Sequence, residues 1–108
     1  MDRDIRDYKT ARGVCPVRIW LHELQDLKAK RAVLRRIDRM VPGNFGDHEF
    51  IGGGVWEMRV DVGPGYRVYY SHIGTSVVLL LCGGPKRTQS QEIRKALAYW
   101  DDYLRRMT

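Results

Sequence analysis

Val55-Trp56-Glu57-Met58-Arg59-Val60-Asp61-Val62, the turn Gly63-Pro64-Gly65, and Tyr66-Arg67-Val68-Tyr69-Tyr70-Ser71-His72-Ile73 form the run that decides the fold. Trp56, Met58, Val60 and Val62 share one apolar face, while Glu57, Arg59 and Asp61 point the other way. A period of two is the mark of a half-buried strand. The glycine-rich triplet then reverses the chain as a short hairpin loop. Tyr66 to Ile73 is rich in the aromatic and branched residues that strands favour. Gly74-Thr75 makes a second tight turn, and Val77 to Cys82 is almost continuously apolar, as in a strand covered on both faces. The prediction is a three-stranded antiparallel meander.

Working outward, Ile5 to Ala11 mixes Ile5, Tyr8 and Ala11 with charges and reads as an edge strand joining the meander. Pro16 fits the first turn of a helix whose apolar residues Val17, Trp20, Leu21 and Leu24 recur at helical spacing. A second helix runs from about Leu27 to Val41, with Leu27, Leu34, Ile37 and Val41 as its inward stripe. Lys28, Lys30, Arg31, Arg35, Arg36 and Arg39 occupy its other faces. Pro42-Gly43-Asn44 stops it, and residues 42–54, with five glycines, read as a loop. Gly52-Gly53-Gly54 precedes a strand and opens no helix, so it is neither a dinucleotide nor a phosphate-binding loop. Beyond the meander, Thr88 and Gln91 have capping-box spacing, and Ile93, Leu97, Trp100, Leu104 and Met107 form the stripe of a last helix.

Helices flanking an antiparallel sheet make the class α+β. At 108 residues the chain is expected to be a single domain over 1–108. Nineteen Lys and Arg against 13 Asp and Glu give a formal charge of +6, which points to a polyanion or an acidic protein partner. Cys15 and Cys82 read as reduced thiols of a cytoplasmic protein. No window reads as a signal peptide or membrane span, and no His, Cys or carboxylate cluster has metal-ligand spacing. No cofactor or metal is expected.

The blocks Gly43-Asn44-Phe45-Gly46-Asp47, Gly54-Val55-Trp56-Glu57-Met58-Arg59 and Gly63-Pro64-Gly65-Tyr66-Arg67-Val68-Tyr69-Tyr70 resemble the RelE/ParE toxin superfamily. Leu79 to Lys86 and Gln89 to Ala96 extend the likeness, which is strongest to the HigB-like addiction module killer proteins. The resemblance implies a RelE/ParE-like fold and the toxin of a bacterial type II toxin–antitoxin pair. Many members cut messenger RNA on the ribosome, the ParE branch poisons DNA gyrase, and a small antitoxin silences either kind. A helix-turn-helix antitoxin and ribosome-bound mRNA are therefore the implied partners. A degenerate member that only binds its antitoxin is a further alternative.

Metal-free RNA cleavage needs a base for the 2′-hydroxyl, cations for the phosphate charge and an acid for the leaving 5′-oxygen. Arg67, Arg59 and Lys86 are the candidate catalytic cations, gathered at one rim of the sheet. The family role of the Gly-Tyr-Arg arginine, transition-state stabilisation, carries over to Arg67. Arg87, Gln89, Tyr69 and Glu57 are the expected RNA-binding residues. RelE-type nucleases carry an arginine and a tyrosine after the Gly-Lys block, where this chain has Gln89 and Ile93. The general acid and base are left among Lys86, Glu57, His48, His72 and Tyr69. Tyr69 and Tyr70 alternate faces, so one is expected in the core and the other free to stack on a base. Glu57 reads equally well, and Arg59 less so, as a plain solvated strand residue or a member of a cross-strand ion pair. Arg67 is expected to be a surface cation whose loss costs little stability.

Overall fold

In a computed structural model describing residues 1–108, the meander is the centre of a five-stranded sheet. Its three strands are β3 (Val55–Val60), β4 (Tyr66–Ile73) and β5 (Val77–Pro85). Two more strands extend it, β1 (Asp4–Asp7) beside β5 and β2 (His48–Gly52) beside β3, giving the order β1-β5-β4-β3-β2. The helices are α1 (Pro16–Glu23), α2 (Leu27–Met40) and α3 (Gln89–Met107). The class is α+β, and no helix is long and apolar enough to cross a membrane.

Two expectations about the sheet are corrected. The sheet is mixed and not purely antiparallel, because β1 pairs parallel to β5, from Asp4 opposite Val77 to Asp7 opposite Leu80. Only strands joined by a tight turn are bound to run antiparallel, and two helices and three strands separate β1 from β5. The expected loop at 42–54 contains β2, which pairs antiparallel with β3 through Phe50 opposite Trp56. Its glycines are hairpin residues, since Gly52, Gly53 and Gly54 all have positive φ.

Both faces of the sheet are covered. On one face α1 and α2 bury Val17, Leu21, Val33 and Ile37 against Met58, Val60, Val68 and Tyr70. On the other, Ala96 of α3 meets Val55, Tyr69, Leu79 and Leu81. Tyr69 and Tyr70 consequently lie on opposite faces and are both fully buried. Neither ring is free to stack on a base, which corrects the expected RNA contact of Tyr69. A bulge shifts the β4–β5 register after Tyr69 opposite Cys82, so that Tyr70 faces Leu80 and Leu81 is the extra residue. Cys15 and Cys82 are unpaired thiols.

α1 packs its expected stripe, Val17, Trp20, Leu21 and Leu24, against the core, whereas α2 and α3 sit in different phases from those their large aliphatic residues predict. α2 buries Ala29, Val33, Ile37 and Met40, while Leu27 is 60% exposed and Leu34 lies at the surface. Small Ala29 lets the helix approach the sheet closely where a leucine would hold it off. Asp26 caps this helix, accepting from the backbone N–H groups of Lys28 (3.0 Å) and Ala29 (3.3 Å). Along α3, Ala96 is buried with Ile93, Tyr99, Trp100 and Tyr103 packed around it, whereas Leu97, Leu104 and Met107 are exposed. Aromatic stacking sets this phase, with Tyr8 on Tyr99 at 4.9 Å and Trp100 on Tyr103 at 5.6 Å. The expected Thr88–Gln91 capping box does not form. Residues Lys86–Thr88 are a 3₁₀ turn, and the Thr88 hydroxyl donates to the Pro85 carbonyl at 3.1 Å.

Candidate functional site

Strand pairing brings the candidate cations together. Arg59 on β3 stands directly opposite Arg67 on β4, and Arg67 stands opposite Gly84 on β5. The 3₁₀ turn is tied to the hairpin where the Lys86 N–H donates to the Gly65 carbonyl at 3.0 Å. Gly65 holds that carbonyl with φ +87°, a conformation that side chains resist. Arg59, Arg67 and Lys86 thereby line one cleft of about 170 Å³, with Asp47, Asp61 and Gly65 in its walls.

Beneath the cleft lies a fully buried carboxylate. Glu57 has no exposed surface, because the amino end of α3 covers the β3 face that its alternation assigned to solvent. Its Oε1 accepts from Arg67 Nη1 at 2.5 Å, Gln89 Nε2 at 2.9 Å and the Tyr69 hydroxyl at 3.4 Å. Its Oε2 has no hydrogen-bond partner and lies 3.7 Å from Arg59 Nη2. Burial, and then the Glu57 charge, push the Tyr69 phenol well above the usual tyrosine range. Glu57, held by Gln89 and Tyr69, therefore positions Arg67 from below. Being fully buried, it does not face a ligand as an expected RNA contact, while half-buried Gln89 is engaged with Glu57. Arg67 is 11% exposed and paired to a buried charge, so it is not a surface cation. This corrects the expectation that its loss costs little.

Arg59 is engaged as well. Its Nη1 donates to Asp47 at 3.0 Å and its Nη2 to Glu49. Its backbone N–H donates to the Asp47 carbonyl at 2.9 Å, and Arg36 Nη1 donates to its carbonyl at 2.6 Å. The hydrogen bond to Asp47 holds the Arg59 guanidinium above the usual arginine range. Lys86 alone of the three is exposed and free of any carboxylate. The cleft is thus less cationic than three basic side chains imply. Asp47 and Glu49 escaped the sequence reading because they sit in the glycine-rich stretch. The readable signal was a short polar strand run ending in Gly52-Gly53-Gly54, a hairpin turn.

The other candidates lie elsewhere. Arg87 faces a different groove, of about 420 Å³, between α1 and α3, beside Trp20, Glu23 and Glu92. His48 and His72 belong to an aromatic cluster on the α1/α2 face. The two rings lie 5.7 Å and 5.9 Å from Trp56, and His72 lies 5.4 Å from Phe45. Burial, Arg3 and His48 lower the His72 pKa. Neither histidine lines the cleft.

No protein-family model matches this sequence. Over 77 residues it is 46% identical to an uncharacterized protein of Haemophilus influenzae, an alignment covering 71% of this chain and 78% of the relative. The chain belongs to that protein's family. The Haemophilus relative carries no assigned activity in its description.

Proposed function

We propose that this chain is the toxin of a bacterial type II toxin–antitoxin pair of the RelE/ParE kind, and that it cleaves messenger RNA on the ribosome without a metal. The observation supporting this reading is the gathering of Arg59, Arg67 and Lys86 on one small cleft at the sheet rim. The 2′-hydroxyl of the bound strand attacks the adjacent phosphorus, leaving a 2′,3′-cyclic phosphate and a free 5′-hydroxyl. Arg67, braced from below by Glu57 and Gln89, meets the charge on the phosphate oxygens. Lys86, exposed and unpaired, supplies the proton to the leaving 5′-oxygen, and Asp61, the unpaired carboxylate in the cleft wall, accepts the proton of the attacking hydroxyl. A separate small antitoxin with a DNA-binding helical domain silences it in a 1:1 complex.

Primer extension on cellular transcripts after induction tests this reading. New 5′ ends should appear within translated messages, and Lys86→Ala should reduce them about 10²-fold while the protein stays folded. The carboxylates paired with Arg59 and Arg67, which offset their charge, favour a second reading, a non-enzymatic toxin binding a protein target such as DNA gyrase. Growth arrest with intact transcripts would select it.

A further inference from the structure

Most of the free positive charge of this protein lies outside the cleft, in which Lys86 is the one unpaired cation. α2 alone carries Lys28, Lys30, Arg31, Arg35, Arg36 and Arg39 against one carboxylate, Asp38, and none of the six is in an ion pair. Lys28, Arg31, Arg35 and Arg39 are all exposed and step by three and four, so they form one ridge about 16 Å long. Arg35, Arg36 and Arg39 also wall a groove of about 310 Å³ between α2 and β3, completed by Ala32, Val60, Asp61 and Val62. Val60 and Asp61 line the Arg67–Lys86 cleft too, so groove and cleft are neighbours with a shared wall. Arg36 is part of the scaffold, donating to the carbonyls of Arg59 (2.6 Å) and Phe45 (3.1 Å).

We propose that the α2–β3 groove is a phosphodiester-binding track that holds the backbone of single-stranded RNA and leads it into the cleft. The proposal rests on the ribonuclease reading for its ligand, and on unpaired charge for its place. Arginine forks suit phosphate oxygens, which accept two parallel N–H bonds. A folded acidic protein would need apolar or aromatic anchors at the centre of its interface. The groove offers only Ala32 and two valines, and the exposed Leu27 and Leu34 are not among its lining residues. Contacts of this kind carry no base preference, so the track supplies affinity and direction, and the cleft supplies the chemistry.

The test is fluorescence anisotropy of the full chain with a 5′-labelled single-stranded oligouridylate over a range of salt. Arg35, Arg36 and Arg39, the three cations lining the groove, give a log–log salt slope of about −2 for a single strand. The double variant Arg35→Gln/Arg39→Gln, which spares Arg36, should bring the slope to about −0.7 and weaken binding about tenfold at low salt. Circular dichroism confirms that the variant is folded. Unchanged affinity and slope would overturn the track. So would a variant that loses binding to polyglutamate but keeps the RNA, an outcome that assigns the ridge to an acidic protein. The two proposals fail separately. RNA held through α2 without cleavage removes the nuclease and leaves the track, whereas cleavage unaffected by the variant removes the track and leaves the nuclease.

Discussion

Arg67→Ala leaves the fully buried Glu57 carboxylate without the one guanidinium in hydrogen-bonding contact with it. Breaking a buried pair from one side costs about 3–5 kcal/mol where the remaining charge is left alone. The low end of that range is expected here, because Arg59 stays 3.7 Å from Glu57 and Gln89 still donates to it. Urea unfolding should show a loss of that size, and Glu57→Gln/Arg67→Gln should lose less than the sum of its single variants. Additive losses would mean that the two side chains act independently. Two tyrosines give a contrasting pair. The Tyr70 hydroxyl is buried without a partner, so Tyr70→Phe should hold or raise stability. The Tyr8 hydroxyl donates to Asp102 at 2.6 Å, so Tyr8→Phe should cost about 1 kcal/mol. Thermal melts of both variants check the sign difference. At this scale the sequence located Arg59, Arg67 and Lys86 together, since all three lie near strand ends that one turn brings close. It could not place Glu57, whose alternation predicts solvent, because what covers that face is a helix more than thirty residues away (Gln89).

The hairpin between β3 and β4 was legible because its alternation and its glycines agree, and each alone fixes the same turn. Gly65→Val is expected to destabilise by roughly 2 kcal/mol or more, through strain at φ +87° and not through lost contacts. The nearest atom to an added Cβ is Lys86 Cβ at 3.7 Å, an ordinary contact. The melting temperature should fall by about 10 °C, and Gly65→Asn, whose side chain tolerates the left-handed region, should lose distinctly less. Equal losses would point to crowding instead. β2 was hidden for the opposite reason, since glycines of a turn and glycines of a loop look alike without knowledge of the strand beside them. The phases of α2 and α3 were obscured because Ala29 and Ala96, the residues closest to the sheet, carry little hydrophobic weight in the sequence.

For the molecule as a whole, acid is the expected weakness. Burial, Arg3 and His48 depress the pKa of His72, so the folded protein favours the neutral ring. Above the ordinary histidine value of about 6.5 the ring is neutral in both states and costs nothing. Below it the unfolded chain takes up a proton that the folded chain resists, so stability falls as the pH falls. Urea midpoints should drop between pH 7.5 and 5.5, and His72→Gln should flatten the drop. An identical drop in the variant would place the acid response on other groups.

The parallel pairing of β1 with β5 also has a consequence in time. Asp4 meets Val77, so a strand made early waits for one made 73 residues later. Closing so long a loop comes late, after the local hairpins have formed. During translation β5 is the last strand to emerge, with α3 still to follow, and its apolar edge needs a partner at once. A ribosome stalled before Val77 would therefore hold a chain with its meander unfinished, and completion of the sheet acts as a clock on when the cleft at its rim can first exist.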